Sequence, residues 1–301
     1  MYVITGATGH IGNRVADILL ARGERVRMIS RDAARLQRFV ARGAEPAVGD
    51  LLDARFLGEA FKGARALFAM IPPNYGAKDF RSYQNLVGNS IATSICNAGV
   101  THVVSLSSQG ADLPRGTGPI LGLHDLEERL DGVRGLNVLH LRPTYFMENL
   151  LGTIPLIHEK GIAATAIRGE LKFAMIATRD IAERVAGHLL GRDFSGKSHR
   201  DLLGQRDLSL QEAFTIIGRR IGISDLKYVQ FGYDVAARAM VESGISANVA
   251  GLFIEMSRAL NAGLFAVNRP RNAENSTPTT IEQFSELFAE AYASAGVRKA
   301  A

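Results

Sequence analysis

The chain has 301 residues, a length that suits one large α/β domain with a small accessory lobe. Hydrophobic residues make up 47% of it and charged residues 22%, as expected for an ordinary soluble globular protein. The formal net charge of +5 comes from arginines scattered among acidic residues, and without a basic block we expect no binding to nucleic acid. No apolar run reaches eighteen residues and the N-terminus is typical of a strand rather than a signal peptide, so we expect no membrane span, no membrane partner and a cytoplasmic location.

The first residues predict a strand, a glycine-rich turn and a helix. A β-branched and aromatic run, 2–4, leads into the sequence TGATGHIG, and a helical pattern follows. This order predicts a site for a dinucleotide pyrophosphate at the helix N-terminus, where free N–H groups and the helix dipole favour negative charge. Gly6 allows the tight turn, Gly9 a close approach to phosphate, and Gly12 close packing of helix on sheet. The GxxGxxG spacing is similar to that of extended and atypical short-chain dehydrogenase/reductases.

The end of the second predicted strand, 24–30, bears on the choice of cofactor. An Asp or Glu roughly twenty residues after the turn binds the ribose 2′-hydroxyl of NAD, whereas an arginine accommodates the 2′-phosphate of NADP. Here Arg31 follows the strand, with Arg35 one helical turn later. Because a guanidinium can bind phosphate bidentately, we predict NADP(H). The alternative is that Arg31 is a solvated charge at a helix start.

Asp50 and Leu51 follow the short third strand, 44–48. In the extended short-chain reductases an Asp-Leu pair at this point places its carboxylate beside the adenine amino group. Another role for Asp50, or for Asp53, is to cap the predicted helix 54–61, and both roles can hold at once.

A nearly continuous apolar run, 65–71, predicts a buried central strand, which Pro72 ends. Ligands bind at the carboxyl ends of parallel strands in such folds. We therefore expect Met70, Ile71 and Pro72 to contact the cofactor, and the following loop with Tyr75 to border the nicotinamide ribose.

A long helix is predicted over 80–98, and Gly99 ends it. The single cysteine, Cys96, lies in this helix and cannot form an internal disulfide. We expect Cys96 to be a small core residue rather than a nucleophile.

The fifth strand, 102–106, runs into Ser107-Ser108-Gln109-Gly110. Short-chain reductases keep a hydroxyl that steadies the substrate at the end of this strand, and we assign Ser107 or Ser108 to that position. The alternative is that these serines only form a turn.

The Tyr-x-x-x-Lys pair of ordinary short-chain reductases is missing, because no tyrosine has a lysine four residues later. In those enzymes the lysine lowers the pKa of the tyrosine, which can then pass a proton. The corresponding helix contains His124, which can donate a proton near neutral pH. A helix-cap or surface histidine is the alternative. Either the protein uses another proton donor, or it needs none, or it is not an enzyme.

Several motifs together carry a resemblance to a known family. They are TGATGHIG, SSQG after the fifth strand, the His-x-x-Glu of the next helix, LRPTYFMEN after the sixth strand, 136–141, and the late ENSTPTTIEQF. This set resembles the NmrA-like family of atypical short-chain reductases, and the similarity extends from Met1 to about Phe288. The resemblance implies one of two activities. Some members reduce quinones, triphenylmethane dyes or small carbonyl-like acceptors with NADPH, and others are regulators that sense the redox state of the cofactor.

No flexible linker divides the chain. We expect an NAD(P)-binding Rossmann domain over 1–150 and a mixed segment over 151–301 that completes the sheet and forms the smaller substrate lobe. An apolar stripe over 235–264 predicts buried helix faces, and this part is left to close the acceptor pocket.

Two helix starts in the second half have recognisable caps. Ser209 and Glu212 are placed as a capping box. Asp180 precedes the predicted helix 181–190 and resembles a structural acid of the family, which we interpret as a cap.

We therefore predict an α/β protein with a Rossmann-type doubly wound parallel sheet and a small, mostly helical C-terminal lobe. Its predicted function is hydride transfer from NADPH to a quinone-like or other conjugated small molecule, with proximity and orientation replacing much of what a catalytic acid would give. A non-catalytic NADP(H) sensor is the alternative, and an isomerase or epimerase-like reaction is a weaker third hypothesis. We expect no metal site, because the seven histidines lack metal-ligand spacing. A homodimer is left open.

The candidate site residues fall into three groups. The cofactor-binding residues are Gly6, Thr8, Gly9, His10, Ile11, Gly12, Arg31, Arg35, Asp50, Leu51, Met70, Ile71, Pro72, Ser107 and Pro143. The catalytic candidates are His124, Tyr145 and Ser107, and the substrate candidates are Tyr75, Phe146 and Asn149.

Overall fold

The computed structural model describes residues 1–265 and 270–300. Its strands are β1 (Tyr2–Ile4), β2 (Val26–Ser30), β3 (Glu45–Val48), β4 (Ala66–Ala69), β5 (His102–Leu106), β6 (Asn137–Pro143), β7 (Tyr145–Phe146), β8 (Ile162–Thr165), β9 (Phe173–Ile176), β10 (Lys197–Leu202), β11 (Asp207–Leu208) and β12 (Lys227–Gln230). Its helices are α1 (His10–Ala21), α2 (Gln37–Val40), α3 (Ala54–Phe61), α4 (Phe80–Ala98), α5 (Leu121–Asp131), α6 (Ile154–Lys160), α7 (Thr178–Gly191), α8 (Leu210–Arg220), α9 (Tyr233–Glu242), α10 (Ala247–Asn261) and α11 (Ile281–Ala300). Short 3₁₀ segments lie at Ala34–Leu36, Gly118–Ile120 and Met147–Thr153. Among the helices described, none is long and apolar enough to cross a membrane.

The central sheet has seven strands in the order β10-β6-β5-β4-β1-β2-β3, and every pair of neighbours is parallel. The predicted Rossmann-type doubly wound sheet is therefore confirmed. The strand order reverses at β1, which lies between β2 and β4. In open parallel sheets such a reversal opens a crevice at the carboxyl edge, and ligands bind there.

Both faces of this sheet are covered, because alternate residues of each strand point to opposite sides. Tyr2 and Ile4 pack with α1 and α7 on one face, whereas Val3 packs with α3, α4 and α5 on the other. A strand with two buried faces is apolar throughout, as in β4, where all four residues are buried.

The second half of the chain contributes to the core of the first. β10 pairs with β6 at one edge of the sheet, and α7 packs against α1. Helices α6, α8 and α11 and strands β8, β9 and β11 contribute to a separate apolar cluster around Phe214, Phe284 and Phe288. Together with α9 and α10, which share a small cluster of their own, they form the smaller lobe. This lobe also contains two small sheets, β11-β9-β7 and β12-β8. The strands β7, β8 and β11 were not predicted, because they have only two to four residues and carry no clear alternation.

The prediction that Cys96 is a core residue is wrong. Its thiol is exposed on α4. The buried stripe of α4 contains Val87, Ile91 and Ile95, which are spaced four residues apart and therefore share one side of the helix. Cys96 follows Ile95 by a single residue, so it lies about 100° around the helix from that stripe.

Asp180 does not cap its own helix. The N-cap residue of α7 is Ala177, and the carboxylate of Glu148 accepts from the backbone N–H of Thr178. The buried Asp180 carboxylate accepts instead from the N–H and the hydroxyl of Thr279, at 3.0 and 2.6 Å. Asp180 therefore ties α7 to the residues that precede α11.

Candidate functional site

The glycine-rich turn after β1 is too tightly packed for side chains at two of its glycines. Gly6 has a φ of +59°, and a Cβ there would lie 2.2 Å from the sulfur of Met70. A Cβ on Gly12 would lie 2.4 Å from the carbonyl oxygen of Gly6. At Gly9 the nearest atom would be 3.5 Å away, an ordinary contact, so the fold itself does not require glycine there. Close approach of an anion to Gly9 stays a prediction.

The N-terminus of α1 has no side-chain cap. Its N-cap residue is Gly9, and the first turn contains no acidic residue. The initial N–H groups of a helix have no partner within the helix and carry the positive end of its dipole. This end of α1 faces the carboxyl edge of the sheet and carries Thr8, His10 and Ile11, whose contact with a dinucleotide pyrophosphate stays a prediction.

Two arginines lie beside this turn. The Nη2 atom of Arg35 donates to the carbonyl oxygen of Thr8 at 3.2 Å, which fastens the guanidinium to the turn. Arg31 is exposed after β2. The strands before Arg31 and Asp50 end side by side, because Ser30 is paired with Val48 and the N–H of Gly49 donates to the carbonyl oxygen of Ser30 at 3.0 Å. The structure thus gathers Arg31 and Asp50 on one side of the turn.

The two aspartates after β3 have different roles. Asp53 caps α3 by accepting from the N–H groups of Arg55 and Phe56 at 2.9 and 3.0 Å. Asp50 accepts from the N–H of Leu52 at 2.9 Å and closes a local turn through Oδ1. Leu51 is buried in the core. Capping by Asp53 is confirmed, whereas a contact of Asp50 with adenine stays a prediction.

The loop after β4 is tied to the end of β1. The hydroxyl oxygen of Thr5 accepts from the N–H of Met70 at 2.8 Å, and the Met70 side chain lies over Gly6. Ile71 is buried in the core, so its backbone rather than its side chain faces the edge. The carbonyl oxygen of Pro72 accepts from the Tyr83 hydroxyl at 3.1 Å.

The ends of β5 and β6 are joined beyond the strands themselves. The N–H of Ser107 donates to Leu141, and the N–H of Gln109 donates to Pro143. The Ser107 side chain is 3% exposed, whereas Ser108 is half-buried and donates to the carbonyl oxygen of Gln109. The two serines therefore lie in different surroundings, with Ser107 inside the protein.

Sequence reasoning did not anticipate an ion pair between α5 and β6. Arg142 donates through Nε and Nη2 to the two carboxylate oxygens of Glu127, which is 5% exposed. Burial pushes the pKa of Glu127 up, but Arg142, His140 and Ser107 together outweigh burial and hold that pKa below its usual range. Both residues belong to motifs noted in the sequence, yet only the fold shows that they meet.

His124 has a structural partner. Its Nδ1 lies 2.7 Å from the carbonyl oxygen of Ala111, and because a carbonyl can only accept, Nδ1 carries the hydrogen. This bond holds the loop after β5 against α5. Nε2 is the nitrogen left for proton transfer.

The three candidates that follow β6 diverge. Tyr145 packs edge-on against Phe173 in the lobe, with ring centroids 5.3 Å apart, and burial raises its pKa. A raised pKa makes this phenol a weaker acid, the opposite of the effect of lysine in the missing pair. Phe146 packs on the α1 side of the core, and Asn149 is exposed. The structure does not gather these three side chains at one point.

Two cavities adjoin the carboxyl edge. One, of about 240 Å³, lies between the ends of β5 and β10 and the lobe, and it is lined by Gln109, Leu171, Lys172, Phe173, Ala174, Leu203, Asp207, Leu260, Gly263, Phe265 and Arg271. The other, of about 200 Å³, lies between the N-termini of α1 and α7 and the start of α11, and His10 lines it. Tyr75 lies apart from both, with its ring 5.9 Å from that of Phe253 on α10.

Comparison with known proteins agrees with this architecture. The chain is 29% identical over 258 residues to an NAD(P)H azoreductase of Xenophilus azovorans, covering 85% of this chain and 86% of that protein. It is 26% identical to quinone oxidoreductase 2 of Escherichia coli, covering 96% of this chain and 99% of the relative.

Solved structures share the fold at lower identity. The NADPH complex of the quinone oxidoreductase QOR2 from Escherichia coli superposes with a TM-score of 0.74 at 20% identity, covering 95% of this chain and 99% of that one. The NADP(H) complex of the Citrobacter sp. triphenylmethane reductase gives 0.76 at 17% identity, again covering 95% and 99%. The sequence model of the NmrA-like family matches residues 2–285. The chain therefore belongs to the NmrA-like family.

Proposed function

We propose that this protein is an NADPH-dependent oxidoreductase that reduces a quinone-like or other conjugated small molecule. The observation that carries the proposal is the uncapped N-terminus of α1, reached through a turn in which Gly6 and Gly12 admit no side chain. A helix end of this kind binds anionic groups. The named reductases among its relatives support the same reading.

The protein's own residues would hold the cofactor in a defined direction. Gly9, Thr8, His10 and Ile11 would surround the pyrophosphate, and Arg31 and Arg35 the 2′-phosphate. Asp50 and Leu51 would border the adenine. The ends of β4, β5 and β6, with Met70, Ile71, Pro72, Ser107 and Pro143, would border the nicotinamide ring, which supplies the hydride when the cofactor is bound.

The cavity of about 240 Å³ is our candidate for the acceptor. Leu171, Phe173, Leu260 and Phe265 give it apolar walls, and Gln109 contributes a polar group from the loop after β5. Pockets for drug-sized ligands measure roughly 300–1,000 Å³. The smaller volume therefore favours a flat acceptor with one or two rings. Tyr75, Phe146 and Asn149 do not line this cavity, and their contact with the acceptor stays a prediction from the sequence.

This assignment also proposes a division of labour. Residues 1–150 would bind the cofactor, and residues 151–301 would complete the sheet and cover the acceptor. Orientation of two bound reactants can itself supply about 7–11 kcal/mol of the barrier. A protein without the Tyr-Lys pair can therefore still be an efficient reductase.

A single fluorescence experiment tests the proposal. Protein is added to NADPH, and quinones, azo compounds, triphenylmethane dyes and aldehydes are then added while the nicotinamide emission is followed. We expect a rise on binding and an acceptor-dependent decay. If the emission rises but decays with none of the acceptors, the protein is a cofactor sensor and not a reductase. If the emission does not rise at all, cofactor binding is refuted as well.

A matched pair of variants tests whether the rise in fluorescence reports NADPH binding at the glycine turn. Gly12→Val should abolish the rise, because its side chain would collide with the Gly6 carbonyl at the helix start. Gly58→Val, in α3 with no neighbouring atom within 4 Å of a Cβ, is the control. Circular dichroism on both variants separates loss of the site from loss of the fold.

A further inference from the structure

A cluster of buried polar side chains lies between β5, β6 and α5. Ser105 is 0% exposed, Ser107 3% and His140 2%. Ser105 is paired with His140 across the two strands, and Ser107 projects to the same side because it is two residues further along. The hydroxyl oxygens of both serines and Nδ1 of His140 have no hydrogen-bond partner in the described part of the chain.

Three unpaired polar atoms in one buried cluster need an explanation. Each costs about 1–3 kcal/mol when it is buried without a partner. Buried water relieves this cost, since one molecule typically makes about three hydrogen bonds to such atoms. Hydroxyl groups and an imidazole nitrogen can all bond to water. The arrangement therefore indicates bound water between Ser105, Ser107 and His140.

The cluster has one end at the solvent and one at the carboxyl edge of the sheet. Nε2 of His140 lies 3.0 Å from Oδ1 of Asp131, whose side chain is 42% exposed. At the other end Ser107 directly follows β5. Glu127 lies beside the cluster, where both His140 and Ser107 contribute to lowering its pKa. Arg142 donates hydrogen bonds to Glu127 and keeps it a carboxylate. Glu127 therefore orients its neighbours and has no proton to give up.

We propose that Asp131, His140, Ser105 and Ser107, with water between them, form a proton path to the reduced acceptor. This proposal rests on the proposed reductase function. An acceptor that has gained a hydride carries a negative charge on its oxygen or nitrogen. Ser107 donates its hydroxyl proton to that atom, and the bridging water gives a proton to Ser107 and takes one from Nδ1 of His140. His140 takes up a proton at Nε2, from solvent next to Asp131, as Nδ1 releases one, and the ring returns to the tautomer with hydrogen on Nδ1 before the next turnover.

The path makes a prediction that depends on the acceptor. The anion of a reduced quinone is stable enough to form first and take a proton from water afterwards. The anions of a reduced azo compound or aldehyde are strongly basic and of high energy, so hydride transfer to these acceptors needs a proton donor already in place. Positioned proton transfer is typically worth 10²–10⁴-fold. In His140→Gln we expect kcat to fall about twofold with a quinone and about 100-fold with the azo compound and the aldehyde. The Kd for NADPH should not change.

Ser105→Ala is a second test in case His140→Gln fails to fold. It removes only a hydroxyl that bonds to no described protein atom. We expect it to retain wild-type stability and to show the same dependence on acceptor as His140→Gln, with a smaller loss. His188→Gln is the matched control. His188 is also a buried histidine, 8% exposed and 2.8 Å from Asp193, but it lies on α7, across the sheet. The His188→Gln variant should reduce every acceptor at the wild-type rate.

Two results would overturn the path while leaving the reductase intact. One is an equal loss, or no loss, with all acceptors in both variants. The other is a high-resolution crystal structure of the wild-type protein with no water bonded to His140 and Ser105. If none of the acceptors led the wild-type protein to oxidise NADPH, the proposed reductase function would fail, and the proton path would fail with it.

Discussion

Leu252 and Gly118 meet so closely that a Cβ on Gly118 would lie 2.1 Å from the carbonyl oxygen of Leu252. This contact seats α10 on the 3₁₀ segment that precedes α5. At the other end of the same surface, the N–H of Ser246 donates to Tyr75 at 2.9 Å and its hydroxyl donates to Ala77 at 2.6 Å. Helix α10 therefore covers the loops that follow β4 and β5.

Gly118→Ala should loosen this cover. The residue has a φ of +59°, which costs a non-glycine residue about 1–3 kcal/mol, and the collision with Leu252 adds about 1–3 kcal/mol of overpacking. We expect a lower free energy of unfolding in urea and faster proteolysis within 233–265. Gly116→Ala is the control, because Gly116 has a φ of +81° but its Cβ would meet only Leu264, at 3.9 Å. If both variants lowered the free energy of unfolding equally, backbone strain and not the contact with α10 would cause the destabilisation.

Arg31→Asp should weaken NADPH binding by about tenfold or more while leaving NADH binding nearly unchanged. The reason is that only NADPH carries the 2′-phosphate that a guanidinium binds. Titration of nicotinamide fluorescence measures both affinities. Arg22→Asp, an exposed arginine at the other end of α1, should alter neither. A similar loss for both cofactors in Arg31→Asp would remove the 2′-phosphate assignment.

The ion pair of Glu127 and Arg142 should make stability depend on pH in the acid range. The pKa of Glu127 is lowered in the folded protein, so its contribution is present above the usual glutamate pKa, about 4.3, and is lost as the pH falls through the folded value. Glu127→Gln leaves the Arg142 charge buried and unpaired, which costs about 3–5 kcal/mol at neutral pH. The difference from wild type should shrink in acid, and urea unfolding at several pH values measures it.

Asp125→Asn is the control for that ion pair. Asp125 also lies on α5 and binds an arginine through both oxygens, but its partner Arg81 is 47% exposed. Ion pairs at the surface contribute about 0–1 kcal/mol. If Asp125→Asn and Glu127→Gln lowered the free energy of unfolding by the same amount, burial would not be what makes the Glu127 ion pair important.

Thr279→Val should weaken the attachment of α11 to α7. The variant removes the hydroxyl that donates to Asp180 at 2.6 Å, and a buried carboxylate that loses a donor costs about 1–3 kcal/mol. Thr279→Ser keeps the hydroxyl and should stay within about 1 kcal/mol of wild type. Thermal and urea unfolding compare the two. If serine were as destabilising as valine, the lost methyl packing would be the cause.

Much of the fold follows from local patterns. The spans of α3, α4 and β5 end at the residues that the sequence indicated, because each has a strong cap, a glycine stop or a compact apolar run. Asp53 at the start of α3 and Gly99, in the left-handed conformation after α4, are such signals. The glycine turn after β1 was recognisable for the same reason, since neighbouring residues determine it.

The tertiary structure decided what depends on packing between distant residues. Cys96 lies outside the core because the neighbouring stripe, and not the composition of α4, determines which side is buried. The pairs Glu127 with Arg142, Asp180 with Thr279, and Gly118 with Leu252 join residues between 15 and 134 positions apart. No periodicity in one segment reports a partner in another, because contacts of this kind are set by how the helices pack on the sheet. The sequence by itself determined the Rossmann architecture and the position of the glycine turn, and only the fold showed which polar groups are buried together beneath the carboxyl edge.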